Sequence, residues 1–249
     1  MSSKTPHFLF ILLLTLFAAC TEPSVALRDL QPYYFPVADL DPGRVYEYES
    51  AGDARNPPFY YYYSNVRQTG DLFLTGTYYD YDFTPIQFVR EEVKDNGMIL
   101  ADFYFYHTDT LTDKQEQVPV EILEKNVFPF TVKEEQPGVL LFSVKWDDPE
   151  PTGTEYTLIR NRQFAGDTTY VYRGKEYPAV RFYLRELIDN YNQGHLETEY
   201  DGTEIYAKDL GLVYFEKNVS EEFQIKYRLK DTYPMSVLEE KFRTYRKDE

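Results

Sequence analysis

Residues 223–230 alternate without a break, with Phe223, Ile225, Tyr227 and Leu229 set against Gln224, Lys226, Arg228 and Lys230. A strict period of two sends the two sets to opposite faces of an extended chain, so this stretch reads as a strand with one face in a core and the other in water. One wet face points to antiparallel sheet. The pattern recurs at Val180, Phe182 and Leu184 against Arg181, Tyr183 and Arg185. In 99–105 the odd positions Ile99, Ala101, Phe103 and Phe105 are apolar, while Asp102 and Tyr104 fall on the other face. Turn signals separate such runs: Asp95-Asn96-Gly97, Gln136-Pro137-Gly138, Arg173-Gly174-Lys175 and Asp201-Gly202. Tyr200-Asp201-Gly202-Thr203 reads as a two-residue hairpin, because glycine accepts a positive φ. A load of 25 Tyr and 18 Phe beside a single Trp suits pleated, half-buried surfaces. Helical spacing is confined to the C-terminus. There Ser236-Val237-Leu238-Glu239 fits a capping box and Leu238, Phe242 and Tyr245 share one face of a short closing helix. Two prolines and a glycine within Asp147–Gly153 mark a long loop, with the same strand pattern on both sides of it. The chain is expected to be all-β, mainly antiparallel.

The first twenty residues have a different character. Lys4 supplies a positive start, and Phe8–Phe17 is an uncharged apolar run too short to cross a bilayer of roughly 30 Å. Leu16-Phe17-Ala18-Ala19-Cys20 then resembles the lipobox of bacterial lipoproteins. The resemblance implies a signal peptide over 1–19, cleavage before Cys20, and lipid on the Cys20 thiol. Such an anchor holds the protein to a membrane without crossing it. The reading also accounts for a lone cysteine in an exported chain, where no internal disulfide is possible. Thr21, rather than Asp, follows the cysteine, which by analogy with lipoprotein sorting implies the outer membrane, facing the periplasm. Residues 20–32 are then a lipidated terminus and flexible tether, and 33–249 one antiparallel β domain.

Two further segments carry a resemblance. Tyr33-Tyr34-Phe35-Pro36-Val37, Asp41-Pro42-Gly43 and Val45-Tyr46-Glu47-Tyr48 resemble the opening of many small bacterial lipoproteins. Tyr206–Val213 is similar to a segment of envelope proteins with curved antiparallel sheets, akin to the lipoprotein-localisation half-barrels. What these imply is architecture, a curved half-barrel or sandwich, and no activity.

The formal charge of −16 becomes −17 when Lys4 leaves with the leader, a surface that repels phosphate backbones and anionic headgroups. Nucleic acid is therefore excluded as a partner, and membrane contact is assigned to the lipid anchor alone. No catalytic residue, metal ligand or cofactor site is assigned. His107 and His195 lack a second histidine at ligand spacing, and no Gly-x-Ser-x-Gly elbow is present. Asp80 and Asp82, with Asp102 on a neighbouring strand, could bind calcium or serve as acid and base, or form a solvated acidic face. The most distinctive internal feature is Tyr60-Tyr61-Tyr62-Tyr63 with Tyr78, Tyr79 and Tyr81. Tyrosine combines large contact area with a polar tip, so these residues are a candidate aromatic binding face as well as candidates for cross-strand packing. The expected function is a non-catalytic envelope binding or structural module whose partner is a protein, a glycan or an apolar ligand. Two alternatives stand beside it: a lipid or lipoprotein carrier with an apolar cavity, and a glycan hydrolase with two carboxyls roughly 5–10 Å apart.

Overall fold

The computed structural model describes residues 26–248 apart from 110, 111, 113 and 221, so the leader and Cys20 lie outside the described residues. The strands in chain order are β1 (Leu27–Asp29), β2 (Arg44–Ser50), β3 (Phe59–Gln68), β4 (Asp71–Tyr79), β5 (Pro85–Lys94), β6 (Gly97–Thr108), β7 (Gln115–Pro119) and β8 (Glu121–Pro129). They continue with β9 (Thr131–Lys133), β10 (Val139–Asp147), β11 (Glu155–Tyr172), β12 (Lys175–Tyr191), β13 (His195–Ala207), β14 (Gly211–Asn218) and β15 (Gln224–Tyr233), and helix α1 (Met235–Asp248) ends the chain. All the strand pairs are antiparallel.

The sheet closes into a barrel of 12 strands in the order β5-β4-β3-β2-β15-β14-β13-β12-β11-β10-β8-β6, because β5 pairs with β6. This corrects the expected half-barrel or sandwich. The two ends of the sheet are sequence neighbours joined across Asp95-Asn96, so the turn that looks like one more hairpin is the closure itself. On β12, Val180, Phe182 and Leu184 are buried in the lumen while Tyr183 and Arg185 are exposed. That is the inverse of a lipid-spanning barrel, whose outer face is apolar.

The lumen of a barrel this size is too wide for wall side chains alone to fill. Here the chain supplies a plug before it builds the wall. After β1, which pairs with β9, residues 30–40 pass into one end of the barrel through two single-turn 3-10 helices, Gln31–Tyr33 and Val37–Asp39. Leu30, Tyr33, Tyr34, Phe35, Val37 and Leu40 are all buried there. The Phe35 ring lies 4.3 Å from that of Tyr63, and a Cβ on Gly211 would approach it to 2.4 Å. Residues 27–29, inside the stretch expected to be tether, are already paired as β1. Apolar residues are sparse in 21–30, but Leu30 alone is completely buried and fixes the path.

Two local expectations fail for identifiable reasons. Asp201 and Gly202 form no turn but lie mid-way along β13, where a Cβ at Gly202 would come within 2.0 Å of the Glu216 carbonyl oxygen. The glycine is there for close strand approach rather than positive φ. In β6, Arg90 faces Asp102 but Glu91 faces Leu100, so Ala101 is a bulge. Met98 and Leu100 are buried before it and Phe103 after it, which shifts the inward phase expected for residues 99 and 101. By contrast, Arg173-Gly174 forms the two-residue β11–β12 turn with φ of 51° and 75°.

Helix α1 closes the chain against the outside of the wall. Leu238 packs on Val45, Tyr60 and Tyr233, and Lys241, Lys230 and Tyr233 all bond the buried Glu47 carboxylate. The helix begins at Met235, so Ser236 sits inside its first turn rather than at the cap.

Candidate functional site

The wall has a seam. Residues 104–108 of β6 pair with β7, and residues 97–99 pair with β8. Between them, residues 120–125 face only 100–103, an excess of two that no regular ladder can absorb. Val120 N–H donates to the Phe103 carbonyl at 3.3 Å, and β8 then turns to pair with β10 from Glu121 onward. The strands part there and leave a groove of about 710 Å³ on the flank of the barrel. Phe88, Arg90, Asp102, Tyr104 and Gln117 line it, with Pro119, Val120 and Ile122 as its far side.

Strand register decides which side chains reach the groove. Tyr62, Thr77, Phe88, Tyr104 and Pro119 face one another in turn across β3, β4, β5, β6 and β7, so they form one row on the outer face. Phe88 and Tyr104 stack at 4.9 Å with planes 17° apart, and Tyr106 meets Tyr104 edge-on at 5.3 Å. In the next row, Arg90 pairs with Asp102 at 2.5 Å and donates to Gln68 at 3.0 Å. Burial, with Tyr106 beside it, pushes the Tyr104 phenol up to about 12, so it stays protonated and able to donate. The groove thus offers aromatic rings, a fixed guanidinium, a carboxylate and an amide within one concavity.

The seven sequence-predicted tyrosines do not share a face. Tyr61 and Tyr63 point into the lumen and stack on each other at 5.3 Å, with Tyr78 against Tyr61 at 5.2 Å. Tyr60 points out but lies under α1, where Phe83 stacks on it at 5.2 Å. Tyr62 and Tyr79 lie on the outer face toward the groove row, Tyr62 donating to the Pro42 carbonyl at 2.9 Å. Tyr81 is exposed in the β4–β5 turn. Phe88, Arg90 and Gln117 were missed. The usable signal was Phe88 and Arg90 alternating with inward Val89 and Glu91. The carboxylates considered together do not converge either: Asp80 accepts the backbone N–H groups of Asp82 and Thr84 within its own turn, while Asp102 serves Arg90. His107 lies 3.3 Å from Glu150 and His195 lies 2.7 Å from Asp189, both at the far rim. Asn218 of β14 donates to Asp201 of β13.

A second polar cluster sits inside the lumen. Arg162 reaches both oxygens of Glu204 at 2.7 and 3.2 Å and the Val127 carbonyl at 3.0 Å, while Tyr206 donates to Glu204 at 3.0 Å. One layer further from the plug, Glu186 holds Arg160 on one oxygen and Lys217 at 2.5 Å on the other. Burial opposes the Glu186 charge, yet the two cations outweigh it and hold its pKa at about 2. Tyr34 of the plug donates to Glu91, whose burial raises its carboxyl to about 7 despite that bond. These groups are satisfied by one another and by the plug, which marks them as a structural network rather than an open reaction centre.

No protein-family model and no curated protein sequence matches the chain. Among solved structures it is similar to a candidate lipoprotein from Parabacteroides distasonis, with a TM-score of 0.52 and 13% identity over 77% of this chain and 95% of that one. It is also similar to a candidate exported protein with a YmcC-like fold from Bacteroides fragilis, with a TM-score of 0.47 and 10% identity over 77% and 96% of the two chains. The Parabacteroides protein shares the fold. At this identity the likeness is one of architecture.

Proposed function

We propose that this protein is an outer-membrane lipoprotein, anchored through Cys20 and facing the periplasm, whose barrel is a non-catalytic binding module for a glycan. The observation that carries the binding assignment is the groove at the β6 seam, where the Phe88–Tyr104 stack lies next to the Arg90–Asp102 pair and Gln117. Sugars present apolar ring faces and a belt of hydroxyls. Aromatic rings beside charged and amide groups match both at once. A carrier needs an apolar cavity, but the lumen is filled by the plug, stacked rings and paired charges. A glycoside hydrolase needs two carboxyls around its cleft, and the groove lining supplies Asp102, tied to Arg90. The fold shared with the Parabacteroides candidate lipoprotein supports the anchored reading, as does the lipobox-like stretch ending at Cys20.

Affinity electrophoresis of residues 21–249 through gels carrying soluble plant and bacterial polysaccharides tests the binding half. At least one polysaccharide should retard the protein, and Phe88→Ala and Arg90→Ala should each restore mobility. Uniform mobility across the panel would overturn it. Intact-mass measurement on the full protein, with Cys20→Ser as control, tests the anchor.

A further inference from the structure

The structure fixes how far the folded barrel can stand from residue 20, and from which end. The first paired residue, Leu27, faces Lys133, and Leu30 N–H donates to the Phe130 carbonyl at the barrel rim before the chain turns into the lumen. The plug is locked by the burial of Leu30, Tyr34 and Phe35 inside the closed wall, so it has no slack to pay out. Residues 20 to 27 span at most about 25 Å when fully extended. The wall strands that run from this end to the other contain about ten residues, which at about 3.3 Å each and a barrel tilt of 35–45° places the far rim about 25 Å further away. The anchor can therefore bring the far rim to the lipid only with residues 20–27 fully extended along the outside of the wall.

Charge selects between the barrel standing on its plugged end and lying on its side. Around the plugged end the cations, among them Arg28, Arg44, Lys133, Arg173, Lys175 and Lys208, are nearly balanced by acids such as Asp29, Asp39, Asp71, Glu135, Glu176 and Asp209. The far-rim turns instead carry Asp53, Asp80, Asp82, Asp148, Glu150 and Glu222 against Arg55 and Lys114. On a chain of net charge −16, an anionic lipid surface repels the far rim most and the plugged end least.

We propose that the barrel stands on the membrane with its plugged end against the lipid headgroups and its acidic rim toward the aqueous space, which leaves the flank groove open to solutes. This rests on the anchored reading of Cys20. The test uses the full lipidated protein on vesicles of phosphatidylethanolamine and phosphatidylglycerol that contain a nitroxide-headgroup lipid. A fluorophore is attached at Gln136→Cys, in the exposed loop at the plugged end, or at Glu222→Cys, in an exposed far-rim turn. Lipidation occupies the thiol of Cys20, so each label is unique. The label at position 136 should be quenched at least threefold more than the label at 222. Equal or reversed quenching in protein that floats with the vesicles overturns the orientation alone. Protein that does not float overturns the anchor, and the orientation with it.

Discussion

Glu91 is an acid placed where ionisation is costly. It is buried in the lumen, and its hydrogen bond from Tyr34 ties the plug to the wall. Burial lifts its pKa from 4.5 to about 7. A carboxyl with a raised folded pKa binds its proton more tightly folded than unfolded, so its contribution is full below pH 4.5 and is lost as pH rises through about 7. A shift of that size is worth on the order of 3 kcal/mol. Glu186 runs the other way: its folded pKa of about 2 gives stability that is present above 4.5 and lost as pH falls toward 2. Stability should thus peak in mildly acidic solution. Glu91→Gln keeps an acceptor for Tyr34 and removes the titration. The variant should match wild type at pH 4.5 and exceed it by several degrees in Tm at pH 8, at about 2–4 °C per kcal/mol for a chain of this size. Thermal melts at the two pH values decide it, and an identical difference at both would show that Glu91 does not titrate in this window.

At the scale of elements, the plug and the wall divide the work of filling the lumen. Phe35 meets Tyr34, Tyr46 and Tyr63 with ring centroids 5.2, 5.3 and 4.3 Å away, and Gly211 leaves room for it. Truncating such a ring removes both its transfer free energy and its contacts, so Phe35→Ala should cost about 3–5 kcal/mol in urea unfolding. A cost under 1 kcal/mol would mean that the lumen collapses without the plug. Much of this level was legible in the sequence, because period-two alternation is a local property of each strand. Val180, Phe182 and Leu184 face inward as their spacing says, and the closing helix lies where Leu238 and Phe242 place it. What was not legible depends on a partner strand. Ala101 becomes a bulge only because β5 and β6 must stay paired around it, and Gly202 is needed only because Glu216 approaches from β14. The groove behaves likewise. Its residues are ordinary outward positions until β7 and β8 part beside them, whereas the tyrosine run that stood out was divided by alternation between the lumen and the covered outer face.

At the scale of the whole molecule, closure makes stability uneven around the ring. β11 and β12 pair over sixteen positions and β12 and β13 over thirteen, forming a continuous block that also carries Arg162, Glu186 and Glu204. Beyond β10, by contrast, β6 is held to β8 at three positions and to β7 at five, with the seam between them. Opening the ring at the seam breaks the fewest cross-strand bonds and uncovers a surface already in contact with solvent, so partial opening should start there. Native-state hydrogen exchange should then show the amides of 115–125 exchanging by a sub-global route, with those of 180–188 and 200–206 last and at the global unfolding free energy. The groove gives this ordering a further consequence: a ligand spanning Asp102 of β6 and Ile122 of β8 would close the weakest joint of the barrel. A bound polysaccharide should slow exchange in 115–125 by the factor that its concentration over Kd sets, and leave the amides of β12 at the global limit shifted by no more than the same factor. Uniform exchange around the ring would mean that the seam is as firmly joined as the rest of the wall.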